Sequence, residues 1–153
     1  MSAFQKFKEK LFLPVDNITA EIFSRFFGFI ILLQVGSYQK AGFIENGILT
    51  PKFLFTYDLF HWVKPGSPGF MKAIPLILLA CGLLILFNTL RRIALGVFGV
   101  LFAYLFLLEK SYYNNHFYLM ILISFLLIFY SPRKDPSNQK SVIPFWFLLL
   151  VQI

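Results

Sequence analysis

Charge is scarce in this chain. Only 14% of its 153 residues are Asp, Glu, Lys or Arg, against about 25% in ordinary soluble domains. Cysteine is scarcer: Cys81 stands alone, which excludes a disulfide scaffold, and in an apolar run it reads as a small buried hydrophobe. Two histidines without carboxylate or cysteine company, His61 and His116, do not make a metal site. Net charge is +7, yet the basic residues are scattered singly and form no stripe that tracks phosphates, so nucleic acid is not an expected partner. The N-terminus also lacks an apolar stretch with a small-residue cleavage site, which excludes a cleaved signal peptide.

What abounds is apolar. Hydrophobic residues make up 58% of the chain, 21 of them phenylalanine, and mean hydropathy is +0.73. A globular domain of this size leaves much of its surface in water, so one soluble core cannot hide that excess. A soluble enzyme and a disordered chain are both excluded, and the lysines and arginines become markers of loops beside a membrane.

The sequence therefore predicts an all-α, polytopic transmembrane helix bundle of four spans and the start of a fifth. Residues 1–18 form a basic amphipathic segment with Lys6, Lys8 and Lys10, expected to lie on the membrane surface. Pro14, Asp16, Asn17 and Thr19 supply turn and cap signals, and residues 19–153 form the transmembrane domain. The first uncharged run, Phe26 to Gln39, covers 14 residues, or roughly 21 Å of helix. The hydrocarbon core is about 30 Å thick, so this span must reach back through Arg25 and Glu21. Those two lie at i and i+4 and neutralise each other as an ion pair. Residues 41–72 mix prolines, glycines and aromatics with Lys52 and Lys64, and read as interfacial, with a short helix over Phe53–Phe60. Further spans are expected over Ala73–Leu90, Ile93–Leu108 and Ser111–Pro132, with Arg91 and Arg92 making the first hairpin. Arg133, Lys134, Asp135, Pro136 and Lys140 then form a polar loop. The last apolar run starts near Pro144 and stops at Ile153, so the chain reads as the N-terminal part of a longer protein.

Counting basic residues by side gives an orientation. With the N-terminus inside, that side holds Lys6, Lys8, Lys10, Arg91, Arg92, Arg133, Lys134 and Lys140, eight in all. The other holds five: Lys40, Lys52, Lys64, Lys72 and Lys110. The excess favours a cytoplasmic N-terminus.

The stretch with chemistry in it is Glu109-Lys110-Ser111-Tyr112-Tyr113-Asn114-Asn115-His116. Polar and ionisable side chains at membrane depth are expensive and mark functional sites. Desolvation pushes an ammonium towards its neutral form, so Lys110 in a dry setting becomes a free amine and a base. Asn114, Asn115 and His116 offer hydrogen bonds to orient it or to bind a polar head group. The alternative is an ordinary turn outside the membrane with solvated charges. Glu109 is ambiguous too, since pairing with Lys110 would keep the lysine charged. His61, beside Trp62, reads as structural.

Leu107 to Leu119 closely resembles the Leu-Leu-Asp-Lys-Thr-x-Trp/Tyr-x-Asn-His-x-Tyr segment of vitamin K-dependent gamma-carboxylases and their bacterial relatives, which share the horizontally transferred transmembrane (HTTM) domain. Pro51 to Tyr57, Phe60 to Pro65, Arg92-Ile93, and Pro144-Phe145-Trp146 with Gln152-Ile153 resemble other family segments in the same order, so the likeness runs from about Ala20 to the end. Departures are Glu109 for aspartate, Ser111 for threonine, and an Arg25 to Gly28 spacing one residue shorter than the family's.

The resemblance implies a membrane enzyme in which Lys110 is the general base that deprotonates a vitamin K-type hydroquinone, with His116 in support. Oxygen and carbon dioxide would be co-substrates: the oxygenated quinone takes a γ-proton from peptide glutamate, the carbanion takes up carbon dioxide, and the quinone leaves as its epoxide. A site sunk in the bilayer keeps water away from so strong a base. Tyr112, Tyr113, Asn114 and Asn115 are the expected cofactor-binding residues, with Phe117 and Tyr118 as further aromatic walls. Expected partners are membrane lipid, the lipid-soluble quinone and a glutamate-containing peptide or protein, and the expected location is a bacterial inner membrane with Lys110 facing outward. The alternatives are an HTTM protein that binds or epoxidises a quinone or lipid without carboxylation, and a structural or transport bundle.

Overall fold

The computed structural model describes residues 3–112, 114–134 and 141–151. Helix α1, Ala3–Leu11, carries Lys8 and Lys10 in its last turn, and Phe7 and Phe12 are exposed beside them. It ends in a short strand, β1, Pro14–Asp16.

Helix α2 follows over Ile18–Lys40, 23 residues, or about 34 Å. The Asp16 Oδ1 accepts from the Ile18 N–H at 3.0 Å and satisfies one open donor at its start. Glu21 and Arg25 pair at 2.7 Å, as the i,i+4 spacing requires. The helix ends where Gly42 takes a positive φ of 67°, a conformation cheap only for glycine. A single π-helical turn, Glu45–Leu49, comes next.

The segment after it differs from expectation. Residues 51–60 form no helix and run extended apart from a turn. The backbone there bonds to another part of the chain: the Lys110 N–H donates to the Phe55 carbonyl at 2.6 Å. Local pattern could not show this, because the partner lies 55 residues on.

Helix α3, Pro68–Leu86, begins earlier than the uncharged run does, because Ser67 caps it and a proline opens it. Its second turn therefore holds Lys72. A tight hairpin, with Asn88 and Leu90 in the left-handed region, leads into α4, Arg91–Leu108. Helix α5, Asn115–Ile128, is capped by Asn114, whose Oδ1 accepts from the His116 N–H at 2.9 Å.

Helices α2, α3 and α4 are long and apolar enough to cross a membrane, and the protein is an integral membrane protein. Helix α5 is apolar but has 14 residues, about 21 Å, and so falls short of a full crossing. The main contacts run α2 on α3, α4 on α5 and α3 on α4. Where α2 crosses α3 the backbones nearly touch. A Cβ on Gly28 would lie 2.6 Å from the Leu86 nitrogen and 2.8 Å from the Gly82 oxygen. Small residues at a crossing maximise dispersion contact where no hydrophobic force acts between helices. Large apolar side chains such as Phe26, Leu76 and Val100 point outward, as a lipid-facing surface demands.

At the end opposite the polar cluster lies a small sheet that the sequence did not announce. Strand β3, Ser141–Pro144, pairs antiparallel with β1, Val15 opposite Ile143, and on its other edge with β2, Arg133–Lys134. Strands this short carry no usable alternation, and the β1 to β3 contact spans most of the chain. The final helix, α6, Phe145–Val151, leaves from β3.

Candidate functional site

Four helix ends meet at the far mouth of the bundle: the C-termini of α2 and α4 and the N-termini of α3 and α5. The chain leaves α4 at Glu109 in extended conformation. Its carboxylate is buried, 4% exposed, and a buried charge must be hydrogen-bonded to persist. Oε2 accepts from the Phe55 N–H at 3.0 Å, and Oε1 accepts from the Ser111 N–H at 2.9 Å and the Ser111 hydroxyl at 2.6 Å. Together with the Lys110 N–H on the Phe55 carbonyl, these bonds clamp the 109–111 turn onto the extended segment. Glu109 therefore does not pair with Lys110, and the ambiguity in the sequence reading falls away.

Lys110 is exposed on the surface of this chain. Its Nζ lies 5.9 Å from the Tyr57 ring centroid, at the outer limit of a cation–π contact, and Tyr57 stacks on Phe106 at 5.4 Å. Among the described residues Lys110 meets no carboxylate; the ion pairs are Glu21–Arg25 and Glu45–Lys72.

Beside this turn the interior is a chain of rings. Tyr38 packs on Phe43 at 5.2 Å and on Phe117 at 5.1 Å, Phe43 on Tyr112 at 5.1 Å, and Phe102 on Phe117 at 5.5 Å. Tyr38 and Phe43 help to line three adjoining spaces. One, about 270 Å³, opens between α2, α3 and α4, with Phe102 and Leu78 as further walls and Glu45 and Lys72 among the polar groups. A narrow crevice that shares Tyr38, Phe43, Phe102 and Leu105 with it is lined further by Phe106, Glu109 and Phe117. A third cleft, of about 370 Å³, is lined by Asn46, Gly47, Ser111, Tyr112 and Asn114 as well.

Of the residues expected from sequence, Tyr112 and Asn114 reach these spaces. Asn114 also caps α5, so its carbonyl oxygen is engaged. Asn115 and His116 are exposed, and with Lys110 they are not among the described residues lining the three spaces. Phe117 joins the ring cluster, whereas Tyr118 is exposed. Tyr113 lies outside the described residues. His61 approaches the Thr56 hydroxyl at 3.3 Å through Nδ1.

The sequence reading missed Tyr38, Phe43, Phe102 and the Glu45–Lys72 pair. Lys72 Nζ stands 2.7 Å from Glu45 Oε1 at the cavity mouth. The hydrogen bond from Lys72, and then its charge, hold the Glu45 carboxyl below its usual range. No local signal joins residues 27 positions apart; only the fold brings them together.

The family model of the HTTM domain matches residues 12–153. No solved structure matches the chain.

Proposed function

The chain belongs to the HTTM-domain family, and from that premise we propose that it is the membrane part of a vitamin K-dependent gamma-carboxylase-like enzyme. The reaction would couple oxygenation of a hydroquinone to carboxylation of peptide glutamate. The observation that carries this reading is the Glu109 clamp. It fixes the backbone of the 109–111 turn, whose Ser111 lines the neighbouring cleft, and among the described residues the Lys110 ammonium meets no carboxylate.

In this reading Lys110 is the general base that takes the first proton from the hydroquinone. His116 would support it from the first turn of α5. What supports a ring there is the cavity lining, in which Tyr38, Phe43 and Phe102 offer aromatic walls. In this reading Tyr112 and Asn114, which line the adjoining cleft, would offer a ring oxygen a donor or acceptor. When bound, the hydroquinone with oxygen and carbon dioxide supplies the chemistry that activates and carboxylates glutamate. The residues hold the ring, exclude water and take the first proton.

The orientation in this reading puts Lys8, Lys10, Arg91 and Arg92 at the cytoplasmic end of the bundle. The Lys110 mouth then faces outward, in a bacterial inner membrane. The test is hydroquinone-dependent epoxide formation by membranes containing the protein, with carbon dioxide incorporated into a glutamate peptide. Lys110→Ala is expected to abolish both; full activity in that variant overturns the base assignment. A second reading, an HTTM protein that handles a quinone or lipid without carboxylating, draws support from the exposure of Lys110 outside the cavity lining. Epoxide formation without carbon dioxide fixation would select it.

A further inference from the structure

The cavity between α2, α3 and α4 has an unusual mouth. Its walls are aromatic and aliphatic, yet a cation and an anion face each other across one edge, Lys72 Nζ 2.7 Å from Glu45 Oε1. Neither charge is placed by chance. The Ser67 cap and Pro68 set the start of α3 so that Lys72 falls in the second turn. The positive φ of Gly42 turns the chain so that Glu45 opens the π-helical turn above it.

We infer that this cavity seats a neutral aromatic ring bearing a hydroxyl group, and that Glu45 and Lys72 together recognise that hydroxyl. Electrostatics narrows the ligand class. A phosphate or carboxylate would gain from Lys72 and be repelled by Glu45, and a quaternary amine the reverse. A bare hydrocarbon engages neither group and gains nothing from the exposed pair at the rim. A phenolic hydroxyl satisfies both: its O–H donates to the carboxylate and its oxygen accepts from the ammonium, two charge-assisted bonds from one group. The ring lies among Tyr38, Phe43 and Phe102, where offset or edge contacts add to burial. This rests on the reading above in one respect, that the ring is the hydroquinone substrate. It adds the residues that bind the ring, apart from the lysine that deprotonates it.

The experiment measures binding of 1,4-naphthohydroquinone, kept reduced under nitrogen, to the protein in lipid nanodiscs by equilibrium dialysis. Glu45→Gln and Lys72→Gln are each expected to weaken binding by roughly tenfold. The dimethyl ether of the probe, which lacks the O–H, loses a similar factor against wild type without any change to the protein. Leu105→Trp, which fills the cavity, is expected to abolish binding. The inference is overturned if the ether binds as well as the hydroquinone, if both rim variants bind as wild type, or if the probe does not bind at all. Epoxide formation measured in air separates the two ideas. Epoxide with binding indifferent to Glu45 and Lys72 sinks this site and keeps the carboxylase-like reading. Binding that follows these rules without epoxide does the opposite.

Discussion

The guanidinium of Arg91 lies over the ring of Tyr130, its carbon 4.1 Å from the ring centroid. The same side chain donates through Nη2 to the Tyr130 carbonyl at 2.8 Å and through Nη1 to Asn88 Oδ1 at 3.1 Å. Tyr130 is 1% exposed, accepts from Asn17 Nδ2 at 3.2 Å and stacks on Phe147. One arginine thus ties the α3–α4 hairpin to the end of α5, and through Tyr130 to the start of α2 and to α6. Arg91 opens α4, where the helix dipole disfavours a cation, so these partners must compensate it. Replacing it with alanine is expected to destabilise the protein by about 2–3 kcal/mol, since a desolvated cation–π contact and a charged hydrogen bond are both lost. Tyr130→Phe removes only the Asn17 bond and is expected to cost about 1 kcal/mol. Reversible unfolding in mixed micelles ranks the two; a larger effect for Tyr130→Phe would refute the tie.

Glu109 makes a different prediction from the one its sequence neighbour invites. If it paired with Lys110, neutralising it would chiefly alter the lysine. In the structure it holds Phe55 and Ser111, so Glu109→Ala leaves two part-buried backbone N–H groups and the Ser111 hydroxyl without their acceptor. We expect a loss of about 3 kcal/mol and, for Glu109→Gln, roughly half of that. Hydrogen exchange at the Phe55 amide reports it directly: protection falls in both variants. Unchanged protection would show that the clamp does not hold the extended segment.

How much of this was legible in the sequence depends on the range of the interaction. The crossings read well, because uncharged runs of 14 to 18 residues and an i,i+4 Glu21–Arg25 pair are local facts. The polar turn at Glu109 to His116 stood out for the same reason. Phe53–Phe60 was misread as helix because aromatic richness there serves packing and a backbone pairing with Lys110, not helical periodicity. The β1–β3 pairing and the Glu45–Lys72 contact were illegible, since nothing near Pro14 or Glu45 specifies a partner so far along the chain.

The Glu45–Lys72 pair carries a pH signature whose sign follows from its cause. Lys72 lowers the Glu45 carboxyl in the folded state, so the folded protein holds that carboxylate charged to lower pH than the unfolded chain does. The stabilising contribution is fully present above the ordinary carboxylate range and is lost as pH falls through the depressed value. The difference in Tm between wild type and Glu45→Gln should therefore be constant near neutrality and shrink upon acidification. Because the pair is exposed, added salt should shrink it as well. A difference that grows on acidification would contradict the assignment.

The α2–α3 crossing predicts opposite fates for two glycines that face each other. A Cβ on Gly82 would meet the Leu32 Cδ2 at 2.9 Å, the tip of a flexible side chain, and Ile31 Cγ2 at 3.0 Å. Leu32 is able to change rotamer, so Gly82→Ala is expected to cost less than about 1 kcal/mol. A Cβ on Gly28 would instead strike backbone, the Leu86 nitrogen and the Gly82 oxygen, and backbone in a packed helix yields only if the two helices part. Parting them removes dispersion contacts along the whole seam, and lipid supplies no hydrophobic force to drive them back together. Gly28→Ala is therefore expected to cost about 2–3 kcal/mol, at the upper end of overpacking effects. Unfolding in mixed micelles measures both variants under one condition. Equal costs would mean that the crossing is looser than the backbone distances require.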